Sequence, residues 1–167
     1  MTDRPRFARH TTVDACQALL EIGPLLVDPD DDVVAILRRA AAHPETRLLG
    51  VTGPDGRIIG VIPILRLAES VIARVSPESL LANVGDLAAA ARFTHSIEDR
   101  TAADIMLEPA TILGTATVAD AFRRMRQRSL SGLYVVDEEE RPTGYLDLLE
   151  LAVRSADELD LDRPSGA

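Results

Sequence analysis

Two acidic residues, Asp147 and Glu150, stand where a helix is expected to begin, directly after the apolar runs and acidic turn of residues 131–146. Residues three apart on a helix share one face, so the two carboxylates are predicted to lie together. Ionised carboxylates accept hydrogen bonds and donate none. They can therefore stabilise a helix start by about 0.3 to 1 kcal/mol each, or hold a ligand that carries donors. Both roles stay open, although the pair would repel a nearby phosphate.

Other reactive side chains stand in patterns that match no catalytic or metal site. His10, His43 and His95 have no nucleophile motif beside them, and no glycine-rich phosphate loop, zinc spacing or Gly-x-Ser-x-Gly occurs. The acid clusters at 28–32 and 137–140 offer oxygen ligands but lack the spacing of a calcium loop. We interpret the clusters as turn and helix-start residues, and we expect no enzyme activity and no metal site.

The elements that must position Asp147 and Glu150 occur twice in the chain. Each half reads as strand, helix, two strands joined by a turn, and helix. Gly144 follows Gly60 by 84 residues, and at the same offset Val135 follows Val51. This is an internal duplication, and duplicated units generally pack together because neither buries its apolar face alone.

Helix limits are marked by capping residues and by apolar spacing. The pattern predicts a helix over Thr12–Ile22 and another from about Asp31 to Ala42, and Thr117 with Asp120 forms a capping box. From these signals we divide the chain into a disordered arm at 1–10, a first motif at 11–75, a helical spacer at 76–100, a second motif at 101–155 and an acidic tail at 156–167.

Charge and composition exclude several classes of partner. Eighteen Lys and Arg residues against 27 Asp and Glu residues give a net charge of −9, which disfavours binding to nucleic acid or anionic lipid. No apolar run approaches the ~20 residues that span a membrane, and no signal-peptide core is present. The single cysteine, Cys16, suits a reducing compartment. We expect a cytoplasmic protein that neither binds nucleic acid nor inserts into a membrane.

The repeated segments resemble CBS domains, named after cystathionine β-synthase, whose tandem pair is called a Bateman module. The second copy carries the resemblance in DIM, TVADAFRRM, SGLYVVD and GYLDLLEL, and the first in DDDVVAILRRA and GPDGRIIGVI. The resemblance covers roughly residues 12–155. It implies an α+β sandwich of two β-α-β-β-α units, packed through their sheets with pseudo-twofold symmetry, and a homodimer of such pairs.

The resemblance also implies where a ligand would bind. Nucleotide-binding relatives end the second strand pair in Thr-x-x-Asp, whose Asp accepts hydrogen bonds from both ribose hydroxyls, as a carboxylate with two acceptor oxygens can. Here the second copy has Asp147 and Glu150 at the two positions, and the first copy has Pro63 and Arg66. Arginine has no acceptor, so the first copy cannot hold a ribose in this way.

Further candidate ligand residues follow from the resemblance. They are Thr111 in a short strand and Ser131 and Gly132 in the turn that relatives use to contact an adenine edge. Tyr134 replaces the proline usual in the family, and its ring could stack on a base or fill the mouth of the cleft. The turn and the tyrosine can equally be structural.

The resemblance predicts a regulatory binding module that takes AMP, ADP, ATP or S-adenosylmethionine in the cleft between the motifs, with at most one site per chain and no obligatory cofactor. One alternative is a ligand-free scaffold for dimerisation or protein interaction, with its clefts closed by Tyr134 and crossed by contacts from Arg66 to acidic residues. Another is a cation-responsive partner of a transporter. The regulated enzyme or transporter is not specified by the sequence.

Overall fold

A computed structural model describes residues 10–75 and 100–161, with side chains through residue 157. Nearly all of the predicted arm and of the helical spacer, and the end of the acidic tail, lie outside the described residues. Contacts divide the described chain into two compact units. Unit 1 comprises residues 10–24 and 110–161, and unit 2 comprises residues 25–75 and 100–109.

Each unit contains one three-stranded sheet, in the order β1-β2-β3 for unit 2 and β4-β5-β6 for unit 1. In chain order the elements are α1 (Val13–Gln17), β1 (Leu26–Val27), α2 (Val33–Ala41), β2 (Leu48–Thr52), β3 (Ile58–Pro63), α3 (Ile64–Val75), α4 (Ala102–Ile105), β4 (Thr111–Leu113), α5 (Val118–Arg128), β5 (Gly132–Val136), β6 (Pro142–Asp147) and α6 (Leu148–Leu161).

In unit 2, β1 runs parallel to β2, and β2 pairs antiparallel with β3 through a tight turn. The amide of Gly53 donates to the Arg57 carbonyl at 2.9 Å, and Gly56 supplies the positive φ of 79° that the turn requires. Helix α2 begins at Asp32, whose carboxylate accepts the amides of two residues in the first helical turn at 2.9 and 3.1 Å. The predicted helix from about Asp31 to Ala42 is thus confirmed to within its ends.

The core of unit 2 lies between its sheet and helices α2, α3 and α4. It is built from buried aliphatic side chains, namely Val27, Val33, Ile36, Ala40, Leu49, Val51, Ile62, Leu67, Ala102 and Ile105. Backbone hydrogen bonds fix helix α4 to this unit. The amide of Ala102 donates to the carbonyl of Asp31 at 2.9 Å, and Leu107, just after the helix, forms an antiparallel bridge with Val61.

Unit 1 repeats the arrangement, with β4 parallel to β5 and β5 antiparallel to β6. The predicted capping box of α5 is confirmed: the Thr117 hydroxyl accepts the Asp120 amide at 3.2 Å, and the Asp120 carboxylate accepts the Thr117 amide at 3.2 Å. The Thr117 hydroxyl also donates to the Asp120 carboxylate at 2.8 Å. This bond, followed by the one from the Thr117 amide, lowers the pKa of Asp120. Helix α1 is tied to this unit because the Val13 amide donates to the Ala116 carbonyl at 2.8 Å.

The two β-α-β-β-α units of the predicted fold are confirmed. Gly60 pairs with Val51 and Gly144 pairs with Val135, so the two glycines occupy the same place in their sheets. The short helix at the start of each predicted motif packs with the other motif: α1 lies in unit 1 and α4 lies in unit 2.

The first predicted helix is shorter than expected. Apolar spacing predicted a helix over Thr12–Ile22, but α1 ends at Gln17. Beyond it, the amides of Leu19 and Leu20 make turn bonds to the carbonyls three residues earlier, at 2.9 and 3.1 Å. The next two amides, of Glu21 and Ile22, bind a side chain instead of the helix, and the helix therefore cannot continue.

Candidate functional site

The predicted ligand residues of the second motif gather in unit 1, most of them at one end of its sheet. Gly132 opens β5 and pairs with Asp147, the last residue of β6. The Leu148 amide donates to the Ser131 carbonyl at 2.8 Å, which holds the Ser131–Gly132 turn beside the start of α6. Glu150 lies in the first turn of α6. Strand pairing, the Leu148 hydrogen bond and the start of α6 therefore bring four of the candidates together.

Asp147 acts as the cap of helix α6. Its side chain is fully buried, and one carboxylate oxygen, Oδ1, accepts the amides of Leu149 at 2.9 Å and Glu150 at 3.1 Å. Asp is among the best residues for this role because its oxygen satisfies amides that the helix leaves without a partner. Of the two roles that the sequence left open for Asp147, its Oδ1 fulfils the structural one, the capping of a helix.

Glu150 binds the backbone of a distant segment. Its Oε1 accepts the Glu21 amide at 2.6 Å and its Oε2 accepts the Ile22 amide at 3.2 Å, across sequence separations of 129 and 128 residues. Hydrogen bonds with one charged partner are shorter and stronger than neutral ones. The carboxylate is half-buried and already receives one donor on each oxygen. It is thus arranged as an acceptor for two adjacent donors.

The surroundings of Glu150 include residues that the sequence did not single out for a site. Cys16 is fully buried, and burial, followed by the negative charge of Glu150, raises the pKa of its thiol to about 11. Gln17 lies directly against Gly144, where any side chain would collide with it. A helical pattern near the N-terminus gave no sign that its last residues would lie beside a helix start more than 120 residues later, and only the fold reveals it.

The two tyrosines of unit 1 form an aromatic pair within the sheet. Tyr134 is fully buried and Tyr145 is 2 % exposed, and their ring centroids lie 5.2 Å apart at an interplanar angle of 50°. A Cβ placed on Gly132 would come within 2.7 Å of Tyr145 Cζ and 2.8 Å of the Leu146 carbonyl oxygen. The ring of Tyr134 thus fills space inside unit 1, and glycine at 132 is needed for this packing.

Thr111 pairs with Tyr134 in the middle of the sheet, and its carbonyl accepts a hydrogen bond from Arg124 Nη1 at 2.7 Å. Thr111 and Arg124 line a cleft of about 410 Å³ that opens toward the far ends of β4 and β5, beside Asp137. Those strand ends are opposite the Ser131–Asp147 end. Thr111 is therefore the candidate least closely grouped with the others.

The corresponding helix start in unit 2 has the opposite chemistry. Arg66 occupies the position of Glu150, and its Nε donates to the Ile105 carbonyl, at the end of α4, at 2.6 Å. A Cβ on Gly60 would lie 2.9 Å from the Leu107 carbonyl oxygen and 2.6 Å from Met106 Sδ. In both units the glycine and the charged residue thus contact the same neighbour, the short helix or the segment directly after it.

The acid clusters serve local structure where they are described. Asp31 accepts the Asp28 amide at 3.1 Å and pairs with Arg39 at 3.1 Å. Asp137 accepts the amides of Glu139 at 3.0 Å and Arg141 at 2.8 Å. Within residues 10–75 and 100–161, no group of three His, Cys, Asp or Glu side chains is placed to hold a metal ion. In the same part of the chain, every helix is too short or too polar to cross a bilayer.

Comparison with known proteins supports the resemblance found in the sequence. The family model described as "CBS domain" matches residues 102–156. A CBS domain-containing protein from Thermotoga maritima is similar in structure at 23% identity, with 87% of this chain and 94% of that chain covered and a TM-score of 0.68. No curated protein matches the chain.

Two of the similar structures contain adenosine compounds. The CBS domain protein PAE2072 from Pyrobaculum aerophilum, complexed with AMP, is 21% identical, with 90% of this chain and 98% of that chain covered and a TM-score of 0.64. The CBS domain pair of protein MJ0100, in complex with 5′-methylthioadenosine and S-adenosyl-L-methionine, is 17% identical, with 89% and 98% covered and a TM-score of 0.64. Residues 102–156 thus match the CBS domain by sequence, and the chain as a whole has the fold of a tandem CBS-domain pair.

Proposed function

We propose that the chain is a regulatory module that binds an adenosine-containing ligand, such as AMP, ADP, ATP or S-adenosylmethionine, at the start of α6. One observation carries this proposal: Glu150 presents both carboxylate oxygens to two adjacent donors, at 2.6 and 3.2 Å. The two hydroxyls of a ribose are also a pair of adjacent donors, and an ionised carboxylate can accept both. The neighbouring Ser131–Gly132 turn would contact the adenine.

The position of Glu150 also supports the proposal. It coincides with the ribose-binding Asp of the family motif, and structures similar to this chain contain AMP or S-adenosyl-L-methionine. Arg66 in unit 2 only donates hydrogen bonds, so it gives no equivalent place for a ribose. We therefore propose one ligand site per chain, in a binding module rather than an enzyme. It would act in the cytoplasm on a partner enzyme or transporter.

A second candidate function is a ligand-free scaffold for dimerisation. It is favoured by the burial of Tyr134 and by the hydrogen bonds of Glu150 and Arg66 to backbone groups of the chain itself. Helix α6 also exposes apolar side chains, with Leu149 at 52% and Val153 at 53% one turn apart. A second copy of the chain is the partner we propose for this face, since such a row is buried when two copies pair.

A thermal-shift panel of AMP, ADP, ATP, S-adenosylmethionine and Mg²⁺ separates the two functions. A ligand that binds the folded chain and is present at a hundredfold its Kd adds about 2.7 kcal/mol of stability. We expect at least one adenosine compound to raise the melting temperature and Mg²⁺ alone to leave it unchanged. If no compound changes the melting temperature, the scaffold is the better description.

A further inference from the structure

The two amides that Glu150 binds belong to a connector, residues 18–25, which joins α1 to β1. The connector leaves unit 1 at Pro24, and its last residue, Leu25, accepts the Gly50 amide of unit 2 at 3.0 Å. Glu150 therefore binds the segment of backbone that links α1 in unit 1 to β1 in unit 2. Any change in the hydrogen bonds of Glu150 changes how this connector is held.

The connector and a ribose would need the same part of the carboxylate. Each of the two oxygens already accepts one amide, supplied by consecutive residues. A vicinal diol that binds a carboxylate through both oxygens donates to the same two atoms. The diol therefore competes with the two amides for the lone pairs of Glu150.

The hydrogen bonds to the connector are strong enough to form and weak enough to be exchanged. The 2.6 Å bond from the Glu21 amide has a charged acceptor, but the amide lies at the surface, where water can replace the carboxylate. The Glu21 side chain is 88% exposed and makes only a long contact of 3.9 Å with Arg154. At Glu21, release of the connector therefore requires little rearrangement of packed side chains.

We infer that Glu150 is an exchangeable clasp: in the absence of ligand it binds the connector amides of Glu21 and Ile22, and a ribose-bearing ligand displaces them. The inference rests on the proposed function, because it concerns the same carboxylate. Ligand binding and release of the connector are then one coupled event, and the affinity for ligand is reduced by the fraction of chains whose clasp is closed. Unit 2 has no such exchange, because Arg66 donates to a carbonyl and cannot take a diol in its place.

Two variants at position 21 isolate the amide from the side chain. Glu21→Ala and Glu21→Pro both remove the exposed carboxylate, but only proline removes the backbone donor. We expect AMP to bind Glu21→Pro about fivefold more tightly than Glu21→Ala in isothermal titration of the full chain, since one net hydrogen bond no longer competes. Equal or weaker binding by Glu21→Pro, or no binding by either variant, would overturn the clasp.

Amide hydrogen exchange of the unaltered chain is a second test of the clasp. It remains available if Glu21→Pro fails to fold. We expect AMP to accelerate exchange at the amides of Glu21 and Ile22, and unchanged or slower exchange overturns the clasp. AMP that raises the melting temperature without accelerating this exchange refutes the clasp and leaves the ligand site intact. If none of AMP, ADP, ATP and S-adenosylmethionine binds or stabilises the chain, the ligand site itself is refuted.

Discussion

The starts of α3 and α6 are equivalent places in the two units, and they differ in the sign of one side chain. In unit 2 the guanidinium of Arg66 donates to the carbonyl at the end of α4, at 2.6 Å. In unit 1 the carboxylate of Glu150 accepts two amides from the segment after α1, at 2.6 and 3.2 Å. Both residues fasten a short helical segment to the unit, one through a backbone acceptor and the other through backbone donors.

The comparison shows that a duplicated scaffold can keep its geometry while its chemistry diverges. The backbone around Gly60 and Gly144 has the same register. Each glycine faces the short helix of its unit or the residues directly after it. A donor-only group at the helix start makes a purely structural contact. An acceptor with two oxygens makes the same kind of contact, and under the proposed function the one in unit 1 would also receive a ligand.

The largest effect that separates the two units is expected from the glycines. An added methyl group in Gly60→Ala would meet the Leu107 carbonyl oxygen, at 2.9 Å, and the backbone there has little freedom to move. Overpacking of this kind costs roughly 1 to 3 kcal/mol. In Gly144→Ala the three atoms nearest the methyl group all belong to the flexible side chain of Gln17, and we expect a clearly smaller loss.

Urea denaturation of the two glycine variants measures the difference. The comparison fails if Gly144→Ala lowers the free energy of unfolding as much as Gly60→Ala does. Such a result would mean that the neighbours of Gly144 are as rigid as those of Gly60.

A smaller difference is expected between the two charged residues. Glu150→Ala removes an acceptor for two amides. Hydrogen bonds to charged groups stabilise the folded chain, and for a carboxylate near the surface the lower end of their range, about 1.5 kcal/mol, is the loss expected in the free energy of unfolding. Arg66→Ala removes a single hydrogen bond from an exposed side chain, for which we expect about half of that loss. Denaturation curves recorded with Glu138→Ala, an exposed acid, control for the change in net charge. Equal losses at the two positions would show that the clasp holds the chain no better than the arginine does.

A third difference is absent at neutral pH and appears only in alkaline solution, and it comes from Cys16 in unit 1. Burial and the charge of Glu150 raise the pKa of Cys16 to about 11 from an ordinary value of 9.0. Below pH 9 the thiol is protonated in the folded and the unfolded chain. Between pH 9 and 11 only the unfolded chain loses the proton, so the stability contributed by Cys16 falls as the pH rises through this range.

The carbon-13 chemical shift of the Cys16 Cβ across pH 8 to 11 reads the ionisation of this buried thiol. We expect the shift to change only toward the upper end of the range, with a lower apparent pKa in Glu150→Gln, which lacks the charge. An unchanged apparent pKa in Glu150→Gln would show that the charge of Glu150 does not affect the Cys16 thiol.

The sequence predicted those features that depend on near neighbours. The duplication, the hairpin at Gly53–Arg57 and the capping box of Thr117 with Asp120 each follow from residues close together in the chain, and the structure confirms them. The cap at Asp147 belongs to the same class, since it serves amides two and three residues ahead. Local hydrogen bonding and turn geometry leave recognisable residue types at fixed spacings.

The features that the sequence could not predict depend on distant partners. Consecutive elements usually lie side by side, yet α1 packs in unit 1 with elements that begin after residue 110. Spacing alone predicted that the helix would reach Ile22, because apolar positions do not reveal that a carboxylate 128 residues later captures the last amides. The burial of Tyr134 against Tyr145 likewise depends on the register of β5 with β6.

Isothermal titration of AMP against the full chain, Glu150→Ala and Arg66→Ala tests most directly whether the start of α6 is the ligand site. We predict one molecule of AMP per chain, a loss of affinity of about a hundredfold or more in Glu150→Ala, and a change of no more than about twofold in Arg66→Ala. Equal losses in the two variants, or unimpaired binding by Glu150→Ala, would contradict the assignment of the site to unit 1.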